Sequence, residues 1–502
     1  MNLIATLATD GYKIGHKNMF PENTTKVYST WTPRSGRHLP QVDKVVCFGI
    51  QGALKEINSL FQEQFFSRNK DEVIAEYKRH IAAYLFNPNV DTSHFEALHD
   101  LGYLPLEVKS LEEGTLVPFR VPMMTIENTH DDFFWLTNYL ETLLSALMWK
   151  PSTTASIARI YRQVLDKYAL ETTGSTDGVE FQGHDFSMRG MSGPEDAARS
   201  GVGHLLSFVG SDTLPAIAYA EKNYNADVTK ELVACSVAAS EHSLMCAGTK
   251  EGESETYRRL IEDIHPTGIV SIVSDTWNLW NVLENILPSL KDKILARDGG
   301  EGSLDKVVIR PDSGDPVDIL CGTKSAQYPD MRAPEEKGVV ELLWDTFGGT
   351  VNDKGYKVLN PAVGAIYGDS ITIERATKIC ERLKAKGFAS TNVVLGIGSY
   401  TYQMITRDSL GFAMKATSVT VNGEERAIFK DPITDDGTKK SAKGRVEVKK
   451  SSPNLDGNTS LVVEDVETDL TLKSPNLLET VFKNGSFVKE TSLSKVRNKL
   501  RE

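Results

Sequence analysis

The chain has 502 residues, 40% apolar and 25% charged, proportions that exclude collagen-like and disordered architectures. Its 56 basic and 68 acidic residues leave a formal charge of −12. That sign argues against a broad nucleic-acid or anionic-membrane surface, but not against a small anion held by a few local arginines. At this length two or three domains are expected, or one barrel with a companion domain.

The five cysteines, Cys47, Cys235, Cys246, Cys321 and Cys380, are scattered and form no CxxC pair. Neither zinc nor a disulfide framework is signalled, and a reducing cytoplasm is the expected location. The opening segment MNLIATLATDGYK lacks a basic region followed by an apolar core, so no secretory signal is expected. No apolar run approaches the roughly 18 residues a membrane helix needs.

In chain order, residues 1–45 read as short extended pieces and turns. Within 50–66, Leu54, Ile57, Leu60, Phe61 and Phe65 recur at helical spacing and predict an amphipathic helix. Residues 114–128 read as short strands broken by prolines. Residues 131–171 are helical, and the expectation is two helices divided near Pro151, because proline has no N–H to donate and clashes with the preceding turn.

Beyond that point short apolar runs end in polar or glycine-rich turns, and a helical segment usually follows. Asp185, Asp212, His242, Asp275, Asp312, Asp369 and Gly398 stand at or just past the ends of these runs. Most are roughly 30 residues apart, about one βα unit. The longer step after Asp312 leaves room for an insertion. An irregular TIM-like α/β barrel is expected, with its site at the C-terminal strand ends. A doubly wound open sheet is the alternative, since it too places polar residues there. In the last hundred residues, Asn422-Gly423 and Asn484-Gly485 separate β-prone segments and predict hairpins. Between them Lys439, Lys440, Lys443, Arg445, Lys449 and Lys450 form a basic stretch.

Several strand-end motifs have chemical content. In His184-Asp185-Phe186-Ser187-Met188-Arg189, an aromatic ring and an arginine can stack a flat ring and hold an anion, or can be a core phenylalanine beside a surface ion pair. Asp212 can cap the next helix or accept from a substrate amide. The Glu241-His242 pair offers a titratable group among small residues. In Arg310-Pro311-Asp312-Ser313-Gly314, arginine suits phosphate and aspartate suits sugar hydroxyls or a metal-bound water, although the composition also suits a plain turn. Gly368-Asp369-Ser370 and Gly396-Ile397-Gly398-Ser399 each place a glycine turn between strand and helix, the usual backbone cradle for phosphate. No Walker A or GxGxxG pattern accompanies them.

These motifs occur in the order seen in the nicotinamide phosphoribosyltransferase family of type II phosphoribosyltransferases, which the chain resembles from about residue 10 to 490. Asp10-Gly11-Tyr12-Lys13, HDFSMRG, FVGSDT, SVAASEHS, IVSD, IRPDSGDP, YGDS, GIGS, Thr406-Arg407-Asp408 and Phe429-Lys430-Asp431-Pro432 carry the resemblance. It implies an irregular α/β barrel at 150–399 and a flanking β-rich α+β domain formed by both chain ends, 1–149 and 400–502. It also implies a homodimer with shared active sites. The implied reaction transfers phosphoribosyl from 5-phosphoribosyl 1-pyrophosphate (PRPP) to nicotinamide, with Mg²⁺ as cofactor and ATP as activating co-substrate.

By motif, Phe186 stacks on the pyridine ring and Tyr12 of the other subunit covers its second face. Asp212 accepts the carboxamide NH. Arg189 and Arg310 hold pyrophosphate, and Asp312 with Arg310 addresses the ribose. Gly368, Asp369, Gly398 and Ser399 cradle the 5-phosphate with help from Arg407. Arg34, Lys415 and Lys430 match basic positions supplied by the partner subunit. Asp10 and Ser236 fall in matched motifs and count with the substrate-binding residues. His242 matches a histidine phosphorylated by ATP, with Asp275 expected beside it. Ser370, Ala238, Ile397, Ser399 and Tyr400 depart from the family's usual residues. A nicotinate or quinolinate enzyme is the nearest rival, disfavoured because a buried Asp212 would repel a carboxylate base. A non-enzymatic binding protein on the same fold and an isomerase or aldolase barrel are the remaining ones.

Overall fold

A computed structural model describes residues 3–323, 332–368, 370–429, 433, 442–453, 459–465 and 474–502. The chain divides into two compact units. One comprises Ile157–Ala218 and Val228–Met404; the other comprises Met1–Ser156, Tyr219–Asp227 and Ile405–Glu502.

The first unit is built on seven parallel strands: β1 (Gly183–Asp185), β2 (Gly210–Ser211), β3 (Ala238–Ala239), β4 (Ile269–Val273), β5 (Lys306–Arg310), β6 (Val363–Tyr367) and β7 (Val393–Ile397). Their order in the sheet is β2-β1-β7-β6-β5-β4-β3. A single parallel bridge from Gly210 to Cys235, just ahead of β3, joins the two ends. The strands therefore follow one another around an irregular α/β barrel, as expected. Strand alternation decides what faces inward. In β5, Val307 and Ile309 are fully buried, while Lys306, Val308 and Arg310 line an interior cavity. Helix Ile373–Ala385 begins where Thr372 accepts from the Arg375 amide, and it buries Ala376, Ile379, Cys380 and Leu383 on one face. The long step between β5 and β6 holds helix Val339–Phe347 and an antiparallel ribbon, Gly349–Val351 with Lys357–Leu359.

The second unit is a seven-stranded antiparallel sheet drawn from both ends of the chain. Its order is Glu424–Ala427, Ala413–Val421, Thr24–Thr32, Met124–Asn128, Leu106–Ser110, Glu479–Lys483 and Ser486–Phe487. Thr24–Thr32, where the sequence suggests short pieces, is a nine-residue strand paired on both sides. Its Trp31 stacks on Phe412 at 5.0 Å. Both Asn-Gly pairs form the expected hairpin turns, with φ of 53° and 78° at Asn422 and Gly423 and 51° and 77° at Asn484 and Gly485. Positive φ at both positions suits the twist of the flanking strands.

Pro151 does not divide the helix. Phe134–Thr172 runs through it as one element, 39 residues long. The ring packs against Gly49, which has φ 95° and where a Cβ would come within 2.6 Å of it. Ser152 Oγ donates to the Val46 carbonyl, and Ser156 Oγ accepts from the Val46 amide at 2.9 Å. Tertiary packing here overrides proline's local cost. Two members of the basic stretch are paired with carboxylates: Arg445 with Glu127 and Glu425, and buried Lys449, which lies 3.0 Å from both Glu447 and Glu464. Lys439 and Lys440 lie outside the described residues. Among the described residues no helix is long and apolar enough to cross a membrane.

Candidate active site

A cavity of about 830 Å³ opens at the C-terminal ends of the barrel strands. Phe186, Arg189, Asp212, His242, Arg310, Asp312 and Gly368 all reach its wall. A second, mainly apolar cavity of about 520 Å³ enters the barrel and shares Phe186, Asp212 and Arg310 with the first. Ser236 lines that second cavity.

Phe186 follows β1 directly, and its amide still bonds the Ile397 carbonyl of β7. Its ring lies 4.5 Å from that of His184, tilted by 33°. Gly396 leaves room for it: a Cβ there would sit 2.8 Å from the Phe186 ring and 2.7 Å from the Tyr367 carbonyl oxygen. Asp185, between these two residues on the strand, points the opposite way, is fully buried and accepts from the Ser187 amide. It belongs to the interior and not to the site.

Asp212 Oδ1 accepts from Ser236 Oγ at 2.6 Å and lies 2.9 Å from His184 Nε2. Burial alone would raise its pKa, but the bonds from His184 and Ser236 hold it below the usual carboxylate range. The expectation of a buried Asp212 is corrected: its side chain is 43% exposed within the chain, because it stands on the cavity rim. His184 went unrecognised in the sequence. Its signal was the two-residue step to Phe186, which puts both rings on one side of the strand end.

Arg310 ends β5 and donates to the Ser240 carbonyl. Burial lowers its pKa, while Asp312, Asp212 and Asp275 pull the other way. Asp312 lies against Gly368, where a Cβ would fall 2.6 Å from its Oδ1. Asp275 does stand beside His242, its Oδ1 3.1 Å from Nε2. Burial raises the Asp275 pKa, but Ser313, the Asp312 amide and His242 outweigh that and leave it low.

Gly398 follows β7 and leads into the short helix Ser399–Tyr402, and the Ser399 side chain packs on Gly190 next to Arg189. Ser370 carries φ 50°, a left-handed conformation that favours glycine, and its carbonyl is fastened by Arg375 Nη1 at 2.7 Å. Asp369 and Lys430 lie outside the described residues.

The remaining candidates belong to the antiparallel-sheet unit. Asp10 accepts from Thr142 at 2.6 Å, Tyr12 is 67% exposed, and Lys415 lies 3.6 Å from Glu141. Partial burial and the charges of Asp10 and Glu141 raise the Tyr12 pKa against the opposing effect of Arg407. Arg34 Nε donates to the Gly411 carbonyl at 2.9 Å, close in sequence to Arg407, which pairs with Asp408. Among the described residues no group of three or more His, Cys, Asp or Glu side chains forms a metal centre.

The sequence model of the nicotinate phosphoribosyltransferase (NAPRTase) family matches residues 181–486. That of the nicotinamide phosphoribosyltransferase N-terminal domain matches residues 4–108. A protein of Acinetobacter baylyi named nicotinamide phosphoribosyltransferase is 50% identical over 498 residues, covering 98% of this chain and 96% of that one. One of the same name from Mycoplasma pneumoniae is 38% identical over 480 residues, covering 89% and 96%. Among solved structures, human nicotinic acid phosphoribosyltransferase aligns with a TM-score of 0.58 at 17% identity, covering 98% of this chain and 93% of that one. A Pyrococcus furiosus nicotinate-nucleotide pyrophosphorylase aligns at 0.57 and 17%, covering 99% and 95%. At those identities the structures speak for the fold alone. The family model over residues 181–486 and the full-length relatives mean that the chain belongs to the nicotinate phosphoribosyltransferase family, among the nicotinamide phosphoribosyltransferases.

Proposed function

We propose that this protein transfers the phosphoribosyl group of PRPP to nicotinamide, yielding nicotinamide mononucleotide and pyrophosphate. The observation that carries the reading is Asp212, an ionised acceptor beside the Phe186 ring where the two cavities meet. A carboxylate there accepts from an amide NH and repels a carboxylate base, which disfavours nicotinate.

In this scheme Phe186, backed by His184, stacks on the pyridine ring and aligns its nitrogen with C1 of the ribose. Arg189 and Arg310 bind the departing pyrophosphate, and Asp312 holds the ribose hydroxyls. Gly368, Gly398 and Ser399 cradle the 5-phosphate, and Asp369 joins them by motif. The bond from C1 to pyrophosphate breaks through an oxocarbenium-like centre, and the fixed cations neutralise the leaving group. No protein nucleophile is required. A second copy of the chain contributes Asp10, Tyr12, Arg34, Arg407, Lys415 and Lys430, so the working form is a homodimer. Bound Mg²⁺ would supply further charge neutralisation of the leaving group, with Asp312 on the cavity wall suited to accept from a metal-bound water. ATP acts through His242, oriented by Asp275. The setting is the cytoplasm.

The test is a base-competition assay with PRPP and Mg²⁺, with and without ATP. Nicotinamide should be consumed with equimolar pyrophosphate release, nicotinate should be left, and ATP should accelerate turnover. Preference for nicotinate would overturn the assignment of the base.

A further inference from the structure

Asp275, just past β4, is shared between two loops. Its Oδ1 faces His242 Nε2 at 3.1 Å. Its Oδ2 accepts from the amides of Asp312 and Ser313 at 2.9 and 2.7 Å and from Ser313 Oγ at 2.6 Å. Arg310, on the same segment as Ser313, donates to the Ser240 carbonyl two residues before His242. The segment that carries Arg310 and Asp312 is thus bonded directly to Ser240 and, through Asp275, to His242.

The donors on Asp275 differ in kind. The two amides hold one oxygen near the loop. The Ser313 hydroxyl adds a side-chain donor to that same oxygen, which leaves Oδ1 for the imidazole. A carboxylate facing Nε2 makes that nitrogen the N–H donor and leaves the ring's lone pair on Nδ1.

We propose that Ser313 is a positioning residue: through Asp275 it holds His242 as the Nε2–H tautomer and ties it to the loop that carries Arg310 and Asp312. The inference rests on the reading of His242 as the group that takes a phosphoryl from ATP. In that step the imidazole lone pair forms a bond to the γ-phosphorus, the bond to the ADP oxygen breaks, and ADP leaves with the electron pair.

The test uses the full-length protein labelled with ¹⁵N-histidine. Ring nitrogen shifts of His242, identified by their loss in His242→Ala, are read at pH 8.5, above the ordinary histidine range. Wild type and Ser313→Thr should show the single Nε2–H tautomer. Ser313→Ala should show a mixture, with the rate of ATP-driven phosphorylation reduced about tenfold and restored in Ser313→Thr. Ser313 is exposed, so losing one hydroxyl leaves the fold intact. A single Nε2–H tautomer retained in Ser313→Ala would overturn the proposal. Should His242→Ala keep its response to ATP, the phosphohistidine reading falls, and the tautomer comparison still decides the role of Ser313.

Discussion

Asp212 and His242 sit at strand ends with one well-defined partner set each, so single substitutions address their chemistry. Asp212→Ser removes an ionised acceptor that is bonded to both His184 and Ser236. The expected loss is about 1–3 kcal/mol in kcat/KM for nicotinamide, with relaxed rejection of nicotinate. Unchanged base selectivity would remove Asp212 from the ring site. His242→Ala should abolish ATP hydrolysis and ATP stimulation while slow ATP-independent synthesis survives, because ribosyl transfer relies on Arg310 and Asp312. Acid-labile phosphate on wild type after exposure to γ-labelled ATP, absent from the variant, is the matching signal; a variant still stimulated by ATP would refute the role. These two residues were legible in the sequence as residue types at strand ends. His184, which bonds Asp212, and Ser313, which bonds Asp275, were not, because a hydrogen bond between neighbouring strand ends depends on register and not on local sequence.

At the scale of elements, the barrel strands are short and their glycines matter most where the backbone meets a ring. Gly396 in β7 is such a place. An added Cβ would press on the Tyr367 carbonyl and the Phe186 ring at once, and neither can give way cheaply. Gly396→Ala should cost about 1–3 kcal/mol of stability and raise KM for nicotinamide more than KM for PRPP, since the ring platform is displaced before the phosphate contacts. Thermal melting with paired KM measurements checks this, and wild-type KM values for nicotinamide would count against it. The seven strand ends and the two hairpins were visible in the sequence, because an apolar run closed by a polar turn and an Asn-Gly turn are local properties. The uninterrupted helix through Pro151 was not, since its explanation lies in Gly49 and Val46, about a hundred residues away in the chain.

For the molecule as a whole, two features connect stability and activity to assembly. Glu113 is buried in the antiparallel-sheet unit, where its carboxyl accepts from the Gly49 and Gln51 amides. Burial lifts its pKa from 4.5 to about 7 against those hydrogen bonds. The folded state therefore binds an extra proton between these values. The stability this provides is complete below about pH 4.5 and is lost as pH rises through 7, a total of about 3 kcal/mol. Glu113→Gln should flatten the fall of the thermal midpoint between pH 5 and 8; an unchanged slope would assign that fall elsewhere. The second feature is the exposed Tyr12. If it acts across subunits, mixing inactive Tyr12→Ala with inactive Asp312→Ala chains should restore part of the activity. No recovery despite demonstrated subunit exchange would mean that each site is complete within one chain.

The sequence by itself determined the alternation of apolar runs and polar turns, the residues at the strand ends, and the motifs that carry the family resemblance. Each of these depends on neighbours within one turn or one strand, where steric and hydrophobic rules act locally. Tertiary structure alone decided that Asp185 turns inward while Asp212 faces a cavity, that Thr24–Thr32 is paired on both sides, and that one bridge between Gly210 and Cys235 joins the sheet ends. It also decided that Asp275 serves His242 and Ser313 together. These outcomes follow from which strands lie side by side and in what register, and packing across the whole chain sets both.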